Sequence, residues 1–131
     1  MEIVPFTSVG VLFFGDSRQI AREKVSSSFS TFEKVAGENE TDSFDSIGIH
    51  VYYDDNSKIE FIETFDPANV SFRGISLMGK DLALVISDME ALGIPPEPSD
   101  VGIKFESVGI ALTAPFGVVE GVAAYRKGYY K

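Results

Sequence analysis

Gly10-Val-Leu-Phe-Phe-Gly15-Asp-Ser17 and Gly74-Ile-Ser-Leu-Met-Gly79-Lys-Asp81 write one pattern twice, 64 residues apart. Each glycine-flanked apolar run leads into a segment with helical character, and each helix is followed by two strand-like runs. A period of about half the chain reads as two copies of one supersecondary unit sharing a core. Working outward, Asp16-Ser17 is an N-cap signal for a helix over about Arg18–Ser28, with Ile20, Ala21 and Val25 on its buried face. In the second copy, Leu82, Val85, Ile86, Met89 and Leu92 form a one-sided apolar stripe that Gly93 and Pro95-Pro96 bring to an end.

The runs that follow each helix alternate with period two. Ile47-Gly-Ile-His-Val-Tyr-Tyr53 and Lys58-Ile-Glu-Phe-Ile-Glu-Thr-Phe65, joined by Asp54-Asp-Asn-Ser57, make a β-hairpin. Val108–Ala114 and Val118–Tyr125 make a second around Pro115-Phe-Gly117, and Gly48-Ile49 aligns with Gly109-Ile110. Val70–Phe72 and Gly102–Glu106 read as further strands, residues 2–15 as an extended lead-in, and the acidic stretch Val35–Ser46 as a loop. The expected fold is α+β. It has one antiparallel sheet of six to seven strands with two helices on one face, built from two helix-plus-hairpin repeats of about 1–66 and 67–131 in a single domain.

Composition narrows the function. The net charge is −9, from 20 acidic and 11 basic residues, which opposes nucleic acid and anionic membrane surfaces and allows a basic partner to be steered in. No apolar run approaches the ~20 residues of a membrane span, and the start lacks the pattern of a signal peptide. With no Cys there are no disulfides, zinc thiolates or thiol catalysis. A cytoplasmic location is expected.

The chemical motifs are weaker than their structural readings. Gly74-x-x-x-x-Gly79-Lys80 approaches the phosphate-binding loop, but Asp81 stands where Ser or Thr must hold magnesium, and the interior is apolar. His50, the only histidine, has Asp42, Asp45, Asp54 and Asp55 near it in sequence, yet their spacing fits no calcium loop. Glu60 and Glu63 are carboxylates available for acid–base work, a role exposed strand carboxylates seldom have. The reading is therefore of no catalytic residue, no metal and no cofactor.

The sheet says more. Ile47, Ile49, Val51 and Tyr53 share one face, as do Ile110, Leu112 and Ala114, and these faces meet the helices. The opposite positions are His50, Tyr52, Glu60, Ile62, Ala111, Thr113, Ala123 and Tyr125, which mix aromatic with small side chains and carry little charge. They are the candidate protein-binding residues. The tail Tyr125-Arg-Lys-Gly-Tyr-Tyr-Lys131 is the one basic, aromatic stretch of an acidic chain. It can pack as a last strand or form a self-interface, so a monomer or weak homodimer is expected.

The stretches Ser8–Arg18, Gly48-Ile-His-Val-Tyr-Tyr-Asp54 and Tyr125-Arg-Lys-Gly-Tyr-Tyr130 resemble an uncharacterised family of small bacterial proteins, some of them like the immunity proteins found beside polymorphic toxins. The doubled helix-and-hairpin layout is similar to the β-lactamase inhibitor protein, whose single-copy relative is the small lipoprotein of outer-membrane barrel assembly. That resemblance implies two repeats forming one sheet with a concave face that grips a protein; it carries over no individual residue. The chain departs from the inhibitor in lacking both an export signal and Cys. Together these readings lead to a non-enzymatic protein-binding module, an immunity or inhibitor protein neutralising a basic partner. A small-molecule binding module and a small hydrolase are the alternatives.

Overall fold

The computed structural model describes residues 1–100 and 102–130. Its centre is an eight-stranded antiparallel sheet of β4 (Ser30–Glu33), β5 (Glu40–Phe44), β6 (Ile49–Tyr53), β7 (Ile59–Phe65), β10 (Glu97–Ser99), β11 (Gly102–Phe105), β12 (Ile110–Thr113) and β13 (Gly121–Tyr125). The spatial order is β10-β11-β12-β13-β7-β6-β5-β4. Each half of the chain thus supplies a four-stranded meander, and the last strands of the two meanders pair at the middle, Ala123 opposite Glu63. Two small sheets accompany it, β1 (Ile3–Val4), β2 (Ser8–Val9) and β3 (Leu12–Phe13) in one, β8 (Ser71–Phe72) and β9 (Ile75–Ser76) in the other. Helix α1 (Arg18–Val25) and helix α2 (Leu82–Ala91) complete the structure.

The α+β expectation, with six to seven strands and helix-plus-hairpin repeats, is therefore corrected. The chain is mostly sheet, its main sheet has eight strands, and the described residues form only two α-helices, of 8 and 10 residues. A helix in each half is followed by a four-stranded meander rather than a hairpin. The unforeseen strands β4, β5 and β10 have the sequences Ser-Thr-Phe-Glu, Glu-Thr-Asp-Ser-Phe and Glu-Pro-Ser, where apolar alternation is absent. β4 and β10 are the two edges of the sheet, where polar side chains and a proline are tolerated.

Local hydrogen bonds recur between the halves. Gly15 N–H donates to the Ile59 carbonyl and Ile59 N–H to the Asp16 carbonyl, both at 2.9 Å; Gly79 N–H donates to Val119 and Val119 N–H to Lys80, both at 2.8 Å. Ser17 Oγ caps α1 by accepting from Ile20 N–H, and Asp81 Oδ1 caps α2 by accepting from Ala83 N–H. Before β6 and β12 the chain makes a 3-10 turn, Asp45–Ile47 or Glu106–Val108, closed by a left-handed glycine, Gly48 at φ 71° or Gly109 at φ 67°. At Gly48 a Cβ would collide with the Phe65 carbonyl oxygen, which is why no larger residue fits this turn.

Both helices lie on one face of the sheet, over a core that includes Phe44, Val51, Ile62, Phe72, Leu77, Phe105, Ile110 and Leu112. Val85 and Met89 of α2 are fully buried, Leu82 and Ile86 partly so, and Leu92 stands outside the stripe at 46% exposure. On α1 only Ala21 is buried, Val25 is partly covered, and Ile20 faces solvent. That helix is held by charge instead. Asp42 of β5 is 0% exposed on the helix side of the sheet. It accepts from Arg22 Nε at 2.9 Å and Nη2 at 2.7 Å, from Arg18 Nη1 at 3.3 Å and from the Tyr53 hydroxyl at 2.8 Å. The two guanidinium groups stack on the rings of Tyr53 and Phe29, 4.1 and 4.3 Å from their centroids. Residues 35–46, read as a loop, thus contain a strand whose one core-facing charge is paired.

Candidate functional site

The face of the sheet away from the helices carries the site. A β-bulge decides its composition. Tyr52 sits opposite Phe61, but Tyr53 sits opposite Ile59, so Glu60 is the extra residue of β7. An extra residue reverses the parity of everything beyond it. Ile59, Ile62 and Thr64 consequently point to the helices, while Phe61, Glu63 and Phe65 point outward. Ile62, expected on the outer face, is 0% exposed in the core beneath the helices, and its place outside is taken by Phe61.

The remaining expected residues do share the outer face. His50 Nε2 lies 3.3 Å from Asp45 and Nδ1 3.8 Å from Glu63, with its ring edge on Phe65 (4.5 Å) and Phe32 (5.1 Å). Tyr52 is half-buried and donates its hydroxyl to Glu63 at 3.1 Å. Ala111 and Ala123 form a close-packed floor and Thr113 is partly open. Tyr125, expected among the protein-binding residues, is only 2% exposed. It stacks on Phe61 at 6.4 Å and lies under Phe6, Tyr129 and Tyr130 at 6.4, 5.9 and 4.8 Å. The tail does not continue the sheet. It folds back over Tyr125, anchored by Arg126, whose guanidinium donates to Asp54 at 2.7 Å and to Glu60 at 3.1 Å.

Two hollows run along this face and share Lys34 and Tyr129 in their walls. One, of about 450 Å³, is lined by Glu38, Asn39, Thr41, Tyr52, Asp55 and Glu60. The other, of about 350 Å³, has Phe61, Glu63, Ala111, Thr113, Gly121 and Ala123 along it, with Ser99, Lys104 and Tyr130 beside them. The result is a trough with an aromatic, acidic end and an end floored by small residues. Of its components, Phe61 and Glu63 were hidden by the bulge, and Lys34 by the turn after the polar edge strand. Tyr129 was signalled only by the tail's aromatic content.

Burial sets the protonation of the trough. It pushes the Tyr52 hydroxyl well above its ordinary pKa, with the Glu63 carboxylate adding to the effect. Burial likewise raises Tyr125 to about 12, with smaller contributions from Tyr130 and Glu106, and Tyr129 to about 12, with Glu60 contributing. The Glu60 carboxyl is raised by burial despite Arg126. Burial also pushes the Asp54 carboxyl upward, but the Lys58 amide, Arg126 and the Asn56 amide outweigh it and hold Asp54 below the usual range. At neutral pH these tyrosines are neutral hydroxyls, of which Tyr52 donates to Glu63.

Near His50 the Ser43 hydroxyl donates to Asp45, the same carboxylate that His50 approaches. No hydroxyl donates to the imidazole among the described residues, so this cluster lacks the nucleophile–base contact of an acyl-transfer site. Among the described residues no three His, Asp or Glu side chains are grouped to hold a metal ion, and no helix is long and apolar enough to cross a membrane. No protein-family model matches the chain, and no curated protein or solved structure is significantly similar to it.

Proposed function

We propose that the chain is a non-enzymatic protein-binding module, and that the trough on its outer sheet face receives part of a basic protein, as an immunity or inhibitor protein would. The observation that carries the reading is the pair of adjoining hollows, aromatic at one end and floored by Ala111, Thr113, Gly121 and Ala123 at the other. Small residues let a partner's backbone approach the sheet, while Tyr52, Tyr129 and Tyr130 offer large, rigid contact surfaces with polar tips. The charge of −9 would speed the encounter with a cationic partner, and the aromatic contacts would set its lifetime. A cytoplasmic setting goes with this proposal.

The test uses basic proteins encoded beside this one, mixed with the wild type and with Tyr129→Ala and Thr113→Arg. Thr113→Arg extends a long side chain over the small-residue floor from a partly exposed position. Both variants should weaken binding at least about tenfold in calorimetry, equivalent to ~1.4 kcal/mol; Thr113→Arg should melt as the wild type does, while Tyr129→Ala also loses packing on Phe61 and Tyr125. Full affinity in both variants would remove the trough from the interface. A small-molecule binding module is the second reading, favoured by the volume of about 350 Å³ at the small-residue end, within the range of ligand pockets. In that case a metabolite screen would raise the melting temperature of the wild type and leave that of Thr113→Arg unmoved.

A further inference from the structure

The aromatic end of the trough already holds a cation, and it comes from the protein itself. Lys34 leaves β4 at the start of the connection to β5, and the residue is exposed to solvent. Its ammonium nonetheless turns inward, 5.3 Å from the centroid of the Tyr52 ring and 5.9 Å from that of Phe61. No carboxylate among the described residues lies within ion-pair distance of it. The attraction is therefore to the ring faces, within the distance at which a cation and an aromatic quadrupole interact. The hollow of about 450 Å³ beside it carries Glu38 and Asp55, with Glu60 already paired to Arg126, and has Tyr129 as a further aromatic wall. Rings flanked by carboxylates, in a cavity larger than one ammonium needs, make a receptor for a cationic side chain.

We infer that this end of the trough is a cation-accepting subsite for a lysine or arginine side chain of the basic partner, and that Lys34 is its internal occupant in the free protein. The inference rests on the protein-binding reading and names the chemistry of the contact. Lys34 lies on an exposed connection and can swing into solvent when a partner cation enters. The rings then exchange one cation for another, and the incoming one can also meet carboxylates that Lys34 does not pair with. An incoming guanidinium gains most, because its plane can stack on a ring while its N–H groups reach two carboxylates. Lys34 thus competes with the partner and prevents the aromatic end from attracting neutral apolar groups.

The experiment titrates N-acetyl-arginine amide, N-acetyl-lysine amide and the neutral N-acetyl-methionine amide into the protein, following the ring resonances of Tyr52 and Tyr129. Both cationic probes should shift those rings saturably, arginine more tightly than lysine, and the neutral probe should not. Lys34→Met should tighten the cationic probes about two- to fivefold by removing the competitor, the range expected of one exposed cation–π contact. Glu38→Gln should weaken them. Equal shifts from the neutral probe, no shift at either ring, or unchanged affinity in Lys34→Met would overturn the inference. The two readings also part with a protein partner. A basic protein that loses affinity to Thr113→Arg but binds Lys34→Met as it binds wild type refutes the subsite and leaves the binding role standing. Insensitivity to Thr113→Arg and Tyr129→Ala together defeats that role itself.

Discussion

Replacing Asp42 tests how α1 is held to the sheet. In Asp42→Ala the carboxylate that accepts four hydrogen bonds disappears from a position that is 0% exposed. The Tyr53 hydroxyl, on a residue only 2% exposed, loses its acceptor, at a cost of about 1–3 kcal/mol. Breaking a buried ion pair costs about 3–5 kcal/mol when the abandoned charge stays dry. Here the Arg18 and Arg22 side chains are 21% and 31% exposed and can regain some water. The two effects together give a loss of about 3–4 kcal/mol, a large part of the stability of an ordinary domain. In urea, with a slope near ~1.5 kcal/mol per M, the midpoint should fall by roughly 2 M at unchanged slope. Tyrosine fluorescence and circular dichroism would follow the transition. A loss below about 1 kcal/mol would show that the arginines rehydrate freely and that the cluster does not fasten the helix.

The other half of the molecule supplies the control. Counting along the matching elements, Leu82 and Ile86 of α2 occupy the places of Arg18 and Arg22, and Ile103 of β11 that of Asp42. All three apolar residues pack against the core. A variant carrying Arg18→Leu, Arg22→Ile, Asp42→Ile and Tyr53→Phe exchanges the charged set for the apolar one and leaves no orphaned hydroxyl. It should be as stable as the wild type or more so, by up to about 1–4 kcal/mol, since well-packed apolar groups often equal or exceed a buried ion cluster. If this variant unfolds as readily as Asp42→Ala, the two halves are not interchangeable at this seam.

Three further outcomes are expected. Val85→Asp buries an unpaired carboxylate under α2 at a position 1% exposed and should cost on the order of 3 kcal/mol or more; an unchanged thermal melt would show that α2 does not rest on that side chain. Gly48→Ala, which meets the Phe65 carbonyl, should cost at least about 2 kcal/mol, whereas Gly117→Ala, at φ 82° in open space, should cost about 1; equal losses in denaturant would discount the steric argument. Tyr125 and Tyr129 titrate near about 12 in the fold and near ~10 when unfolded, so folding favours their protonated forms. Their contribution is intact below pH ~10 and is lost as the pH rises toward about 12. Melts combined with tyrosinate absorbance check this, and stability that stays flat through that window would contradict it.

Both helices, the two hairpins and the glycine-marked turns were legible because short-range chemistry determines them: the cap at Ser17, the apolar stripe of α2, period-two alternation in 49–53 and 110–113, and the glycines that flank the two apolar runs. What the sequence concealed were non-local compensations. Strand β5 reads as a polar loop because its core-facing residue is Asp42, and an aspartate counts as buried only once Arg18, Arg22 and Tyr53 have been brought to it by the fold. The outer face was legible on β6, β12 and β13, where alternation runs unbroken. It failed on β7, where nothing in Ile59-Glu-Phe-Ile-Glu-Thr-Phe65 marks Glu60 as the extra residue, and so Ile62 was assigned outward in place of Phe61. Burial of Tyr125 likewise depends on a tail whose return path is fixed by Arg126 meeting Asp54 and Glu60 across the molecule.

The outer face differs between two otherwise parallel meanders in a way their shared backbone does not require. Where β6 presents His50 and Tyr52, β12 presents Ala111 and Thr113; where β7 presents Glu63, β13 presents Ala123. Toward the helices the same strands carry matching apolar side chains, Ile49 and Val51 against Ile110 and Leu112, all buried. The two meanders therefore agree where packing against the helices constrains them and diverge where the trough lies. Stability alone gives no reason for that division, since small residues on a sheet surface forgo cross-strand contacts that larger ones would make. A trough that is bulky and acidic at one end and floored by small residues at the other makes physical sense if it must seat an asymmetric object in one orientation. A partner ridge could approach the backbone above Ala111 and Ala123 while its cationic side chain reaches the rings that Lys34 now covers.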